Sequence, residues 1–351
     1  LVVGGVGFVG CHLVSYFIEH GSFERVAILS RSAATSRNRV EGAEYYVGDV
    51  TKHDEIRELL KEVKPAVVIH AASPSPVTGT PKEYESVNIS GTANLLNAAT
   101  ESEHVRAFIY TASSTMAKGP EHRNLDEAYP LANTDPKASA YARSKATAET
   151  TVLDANKRKP TETTNWAGYL ATASLRFPII YGLRDETSIP GCLNALSKGQ
   201  TNTTLGNGLN LWDFCSSKNC SISHVLLAAV LLSSSPNNAA KVDGEAFNIN
   251  DGSPYPFWGF ARLCWKYAGY DPQPFPKVTH LPSWFALGLA TFLEWLYWIF
   301  TFGTKRPYNL GRQQVEYACF THTYSIEKAK TRLGFKPQNS FEADVKEAVD
   351  W

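Results

Sequence analysis

Tyr141-Ala142-Arg143-Ser144-Lys145 sets a phenol and an ammonium four residues apart. On a helix both side chains leave the same face. An ammonium beside a phenol favours the phenolate and pulls its pKa down from about 10 towards neutrality. Such a pair is a proton donor and acceptor suited to alcohol–ketone chemistry. The spacing alone is common, and a solvated helix face shows it too. Its meaning depends on the elements that must position it.

The chain opens Leu-Val-Val-Gly-Gly-Val-Gly-Phe-Val-Gly. A short β-branched run leads into Gly4, Gly7 and Gly10. Val9, Leu13, Phe17 and Ile18 then recur at helical spacing, and Gly21 is placed to end the helix. Strand, glycine turn and helix form the context of a phosphate-binding loop, with the helix N-terminus facing the anion. Apolar runs at Val26–Leu29, Tyr45–Val47, Val67–Ile69, Phe108–Tyr110 and Leu175–Phe177 alternate with helical stretches. That alternation predicts βαβ units, a parallel sheet and a ligand at the strand C-terminal ends.

The second predicted strand ends in Ser30-Arg31, where NAD-selective folds carry an acid. No carboxylate there repels a 2′-phosphate, and Arg31 can pair with one. The expectation is NADP, with NAD as the alternative.

The 351 residues carry 34 Lys plus Arg against 34 Asp plus Glu, with no basic stripe, which argues against a nucleic-acid partner. Six cysteines show no Cys-x-x-Cys and no paired metal spacing, so no metal is expected and reduced buried thiols are. The first strand has only three residues before Gly4 and no initiator Met precedes it, so a few upstream residues are expected. The polar segment 156–166 reads as a low-order connection, and Gly206-Asn207-Gly208 as a turn. Residues 284–302 are almost wholly apolar, with Trp284, Phe285, Phe292, Trp295, Trp298, Phe300 and Phe302 spread along them and Glu294 near the middle. Scattered aromatics and a central carboxylate suit a helix lying in a membrane interface, or a lid on a lipid-like pocket, more than a span. Lys305 and Arg306 follow and could meet anionic headgroups. A buried core helix is the alternative.

Gly4-x-x-Gly7-x-x-Gly10 with Tyr141-x-x-x-Lys145 resembles the short-chain dehydrogenase/reductase superfamily in its extended form. Four further stretches agree, in the right order: His70-Ala71-Ala72, Val87 through Leu96, Phe108 through Ser114, and Leu175-Arg176-Phe177-Pro178-Ile179-Ile180-Tyr181-Gly182. Trp212-Asp213-Phe214 followed by His224, the run Gly244–Asp251, and Tyr324–Ala329 before Leu333-Gly334-Phe335 are similar to the 3β-hydroxysteroid dehydrogenase family. The likeness is greatest to its sterol-carboxylate, decarboxylating branch and fungal secondary-metabolism relatives.

The resemblance implies an α/β, Rossmann-type doubly wound sheet. Residues 1–182 would form the NADP-binding domain, with later strands returning near 210–250, and 183–351 mostly a smaller substrate lobe. It implies Ser113, Tyr141 and Lys145 as catalytic residues. Gly4, Gly7, Phe8, Val9, Gly10, Ser30, Arg31, Asp49, Val50, Ala71, Ala72, Asn88 and Pro178 would join Tyr141 and Lys145 around the cofactor. Ser114, Thr115 and Tyr181 are candidate substrate contacts. His224 reads as structural, and Arg143 and Arg184 lie near the site by motif order.

The implied reaction interconverts a secondary alcohol and a ketone on a steroid or terpenoid-like polycycle, with loss of a neighbouring carboxylate as one version. A dehydrogenase/isomerase, a ketoreductase, a nucleotide-sugar epimerase and a non-catalytic dinucleotide sensor are the alternatives. A homodimer is implied by analogy. So is a place at the cytoplasmic face of the endoplasmic reticulum membrane or in the cytoplasm.

Overall fold

A computed structural model describes residues 1–157, 165–233, 241–274, 276–302 and 311–351. Most of the polar segment 156–166, and Lys305 and Arg306, lie outside these residues.

Seven strands form the central sheet: β1 (Val2–Val3), β2 (Ala27–Ser30), β3 (Glu44–Val47), β4 (Val67–His70), β5 (Ala107–Ser113), β6 (Ala171–Phe177) and β7 (Glu245–Asn248). Their order is β7-β6-β5-β4-β1-β2-β3, and every pairing is parallel. The order reverses between β1 and β4, which opens a crevice at their carboxyl ends, where such sheets bind ligands.

Strand alternation sends side chains to two cores. Ala107 and Ile109 of β5 join a cluster with Leu13, Phe17 and Leu227 from the Phe8–Glu19 and Ser217–Leu232 helices. Phe108 and Tyr110 face Leu59, Leu96 and Val152 from helices on the other side. Both faces are covered, so the strands read as continuous apolar runs rather than alternating ones.

A smaller sheet sets Leu211–Trp212 beside His322–Tyr324, which pairs in turn with His122–Leu125. Tyr181, Phe214, Phe260 and Val345 fill a third core near it. The apolar segment is a 19-residue helix, Ser283–Thr301, packed on the Arg312–Cys319 helix through Ala286, Ala290 and Val315. Ala286 and Ala290 are its only buried residues, while Trp284, Trp295, Trp298 and Phe300 are 57–77% exposed. The core-helix alternative is therefore wrong. Glu294 accepts from the Arg312 backbone N–H at 2.8 Å, so the one acid in the helix caps its neighbour's positive end.

Candidate active site

The glycine loop shows why the sequence folds as it does here. Gly4 N–H bonds Leu29 O at 2.8 Å, and Ala71 N–H bonds Val3 O at 2.9 Å, stitching the loop across the crevice. Gly4 has φ +84°, and a Cβ on it would lie 2.7 Å from the Ala72 Cα. A Cβ on Gly10 would lie 2.1 Å from the Gly4 carbonyl oxygen. Neither position can carry a side chain. Gly7 differs: it caps the Phe8–Glu19 helix, and its Cβ would meet only Gly4 O at 3.4 Å. Its outer side opens on the helix N-terminus that Phe8 and Val9 begin. This cradle of backbone without side chains fits a pyrophosphate.

β2 ends at Ser30, and Arg31 is exposed directly after it, near enough to Glu83 to act on its carboxylate. Asp49 follows β3 and accepts from Thr51 N–H at 2.9 Å. It borders a cavity of about 290 Å³ whose other walls include Leu29, Val47 and Glu55. Val50 is buried, and its carbonyl accepts from Asn94. Pro178 is half-buried between β6 and the next strand.

Ser113 is the last residue of β5, with its Oγ accepting from Thr115 N–H at 3.3 Å and lying 2.9 Å from Thr115 Oγ1. Tyr141 and Lys145 occupy the first turns of the Ala140–Asp154 helix, which Ser139 caps by accepting from Ala142 N–H at 3.1 Å. Buried Glu149 on that helix accepts from Ser174 at 2.6 Å and from Arg176 at 2.7 Å, tying it to β6. Asn88 lies in a π-helical stretch, Tyr84–Gly91, and donates to Ser144 Oγ at 2.9 Å. Its Oδ1 is a buried acceptor without a protein partner. The Tyr141 hydroxyl interacts with Ser113 and Ser73, and its ring meets Tyr84 edge-on at 5.5 Å.

The structure thus brings Ser113, Tyr141 and Lys145 together but corrects the expected electrostatics. Lys145 Nζ donates to Thr111 O at 2.7 Å and lies 4.2 Å from the centre of the Tyr110 ring. Burial pulls its pKa down to about 7 against the opposing pull of Glu149. Burial also pushes the Tyr141 phenol up, with the Ser113 and Ser73 hydrogen bonds opposing. Shared helix face is not contact: the long lysine chain satisfies its ammonium on a strand carbonyl instead. In this arrangement Ser113, not Lys145, favours the phenolate.

One expected substrate contact lies elsewhere. Tyr181 is buried among Phe214, Phe260 and Phe341, and donates to Asp251 at 2.9 Å. Pairing of its strand with Phe214–Ser216 turns it away from the cleft. Ser114 Oγ is buried without a hydrogen-bond partner beside a pocket of about 10 Å³ that Ser113, Arg176, Asn248 and Tyr324 also line. That is room for one water. Arg143 donates to Pro136 O and Ala138 O, the loop before its own helix. Arg184 lies against Cys11 on the first helix. His224 is buried, bonded to Thr111 Oγ1 at 3.0 Å and Cys220 O at 2.8 Å, as a structural residue would be.

Sequence reasoning missed Ser73, Tyr84, Gln313 and Tyr317. Ser73 directly follows His70-Ala71-Ala72 and was within reach of motif reading. Tyr317 sits on the Arg312–Cys319 helix, accepts from Gln313 at 2.8 Å and lies near enough to act on the Tyr141 phenol, and no local pattern marks it.

Comparison with known proteins gives the family and the fold. Sterol-4-alpha-carboxylate 3-dehydrogenase, decarboxylating, from Schizosaccharomyces pombe is 32% identical over 354 residues, covering all of this chain and 96% of the relative. The mouse protein of the same description is 29% identical, covering 99% and 89%. Among solved structures, UDP-glucose 4-epimerase from Thermotoga maritima superposes with a TM-score of 0.69 at 20% identity, covering 99% of this chain and 96% of the other. UDP-glucuronic acid 4-epimerase from Bacillus cereus, solved with NAD, gives the same TM-score at 17% identity, covering 99% and 96%. These structures share the Rossmann-type fold. The model of the 3-beta hydroxysteroid dehydrogenase/isomerase family matches residues 1–282, and this chain, an oxidoreductase, belongs to that family.

Proposed function

We propose that this enzyme oxidises the 3-hydroxyl of a polycyclic sterol-like acid and releases the neighbouring carboxylate as carbon dioxide. The observation that carries the reading is that Ser113 ends β5 near enough to act on the Tyr141 phenol, in the same sheet whose β1 leads into the glycine cradle. The relatives named as decarboxylating sterol-carboxylate dehydrogenases support the substrate class.

Gly4, Gly7 and Gly10 hold the pyrophosphate of a nicotinamide dinucleotide, and residues 1–182 form its domain. The residues after 182 supply most of the substrate lobe. A bound nicotinamide supplies the acceptor for the hydride leaving the carbinol carbon. Tyr141 takes the hydroxyl proton as a general base. Ser113 holds the oxygen as it becomes a carbonyl. A carboxylate on the adjacent carbon is then a β-keto acid. Its C–C bonding pair moves onto the ketone oxygen as carbon dioxide leaves, and Tyr141 returns the proton to that enolate. No further cofactor is required. Ser30 in place of an acid, with Arg31 beside it, favours NADP over NAD. The exposed aromatic face of the Ser283–Thr301 helix rests on a lipid surface, where such a substrate dissolves.

Mass spectrometry of products from a 4α-carboxy-3β-hydroxysterol with either oxidised dinucleotide tests the reading. A ketone lacking carbon dioxide is expected, and a ketone that retains the carboxylate removes the decarboxylation. Tyr141→Phe should lower kcat by roughly 10²- to 10⁴-fold while dinucleotide binding persists. An active Phe variant refutes the acid–base assignment.

A further inference from the structure

We propose that Tyr84 is a positioning residue whose ring, packed edge-on against Tyr141, holds that phenol at the angle proton transfer requires. The inference rests on the reading of Tyr141 as the acid–base given above and adds the residue that aims it.

A ring that must face substrate cannot be packed on every side, so what lies behind it sets its angle. Backbone and ring of Tyr141 have separate supports. Ser144 Oγ donates to the Tyr141 carbonyl at 2.8 Å and accepts from Asn88 Nδ2 at 2.9 Å, which holds the backbone. The ring meets Tyr84 with centroids 5.5 Å apart and planes at 67°. Aromatic pairs prefer that arrangement, and tilting either ring loses it. Tyr84 and Asn88 belong to one π-helical stretch, Tyr84–Gly91, so both supports reach the Tyr141 helix from the same element.

Tyr84 can hold another ring because it is itself locked. It is buried, and its hydroxyl donates to Ser75 O at 2.6 Å. The same carbonyl accepts from Gly79 N–H at 2.9 Å, which closes the 75–79 turn on the ring. A Cβ on Gly79 would lie 2.6 Å from Tyr84 Cε1, so the backbone of the turn presses directly on the ring edge. Thr80 then forms a reciprocal cap with Glu83. Its N–H donates to Glu83 Oε2 at 2.8 Å, and its Oγ1 accepts from Glu83 N–H at 3.3 Å. The residue before Tyr84 is therefore pinned as well as the ring. Three local devices, the turn, the glycine contact and the cap, converge on a side chain that itself faces the phenol.

The test uses the full chain, a 3β-hydroxysteroid that the unaltered enzyme turns over, and dinucleotide binding followed by fluorescence. Tyr84→Met keeps much of the volume and removes the ring. Tyr84→Phe keeps the ring and removes only the bond to Ser75. A misplacement of about 1 Å at the reacting atoms can cost about 10²-fold in rate. Tyr84→Met is expected to lower kcat roughly 10- to 100-fold while KM and dinucleotide affinity hold. Tyr84→Phe should stay within about threefold of the unaltered kcat. In a Tyr141→Phe chain, Tyr84→Met should cost nothing further, since no hydroxyl is left to aim. Unaltered kcat in Tyr84→Met overturns the proposal, as does an equal loss in Tyr84→Phe. So does a loss in step with melting temperature and dinucleotide binding, or one that multiplies with Tyr141→Phe, either of which makes Tyr84 a packing residue. A fully active Tyr84→Met beside an inactive Tyr141→Phe leaves the acid–base reading standing and removes only this inference.

Discussion

The two walls of the cleft are held by different means. On the dinucleotide side, steric exclusion acts over a few residues: Gly4 against Ala72, Gly10 against Gly4. On the other side, Tyr317 is carried by the Arg312–Cys319 helix, which follows the aromatic Ser283–Thr301 helix and leans on it. The first wall is written in consecutive residues and tolerates almost no substitution. The second is assembled from distant pieces, and its outermost surface tolerates much. Local constraint makes a motif, whereas assembled constraint leaves none.

The largest expected effect breaks the first wall. Gly10→Ala puts a methyl 2.1 Å from a backbone oxygen that cannot move aside, so dinucleotide binding and thermal stability should both collapse. Gly7→Ala sharpens the contrast. Its Cβ meets an ordinary 3.4 Å contact, so stability should change by only about 1 kcal/mol while dinucleotide affinity falls. Equal melting losses in the two variants, read by calorimetry, would contradict the steric account.

The second wall predicts the opposite pattern. Replacing Trp295, Trp298 and Phe300 together by serine removes side chains that are 57–77% exposed. Each change should cost no more than about 0.5 kcal/mol, while co-flotation with liposomes is lost. Flotation equal to that of the unaltered chain would refute the lipid assignment.

The last test probes the other side of the sheet through its buried histidine, where activity and dinucleotide binding should change least. Burial holds His224 down to about 4, against an ordinary value of 6.5. The unfolded chain therefore binds the extra proton as pH falls from about 6.5 towards 4, and the group's contribution to stability is present above that window and lost within it. His224→Asn should destabilise at pH 7, and the penalty should shrink by about 1.4 kcal/mol per pH unit below 6.5. A penalty independent of pH, in denaturant titrations between pH 7 and 4.5, would mean that His224 is charged in the fold.

How far the sequence could be read follows the same division. The parallel sheet and the glycine turn were legible because each rests on spacing within a βαβ unit, whereas the grouping of Ser113 with Tyr141 and Lys145 came from the family resemblance. Tyr181 was misplaced because it sits only three residues beyond Pro178, while the pairing that buries it comes from Phe214–Ser216. The Lys145 contact was misread because helical spacing reports direction and not reach, and its partner is a backbone carbonyl of β5. Tyr317 was invisible because nothing near it repeats or alternates. Its nearness to Tyr141 exists only once the Arg312–Cys319 helix has folded back beside the cleft.

The aromatic helix gives the molecule a spectroscopic property of its own. Of the eight tryptophans, Trp284, Trp295 and Trp298 stand exposed on that one element, whereas Trp212 and Trp265 are each only 2% exposed. Emission from these three, and from Trp351 at 61% exposure outside the helix, is quenchable by a solute in water, and that from the buried two is shielded. In a Trp351→Phe chain, a shift of the emission maximum on adding vesicles therefore reads contact at that one helix face, with no label attached.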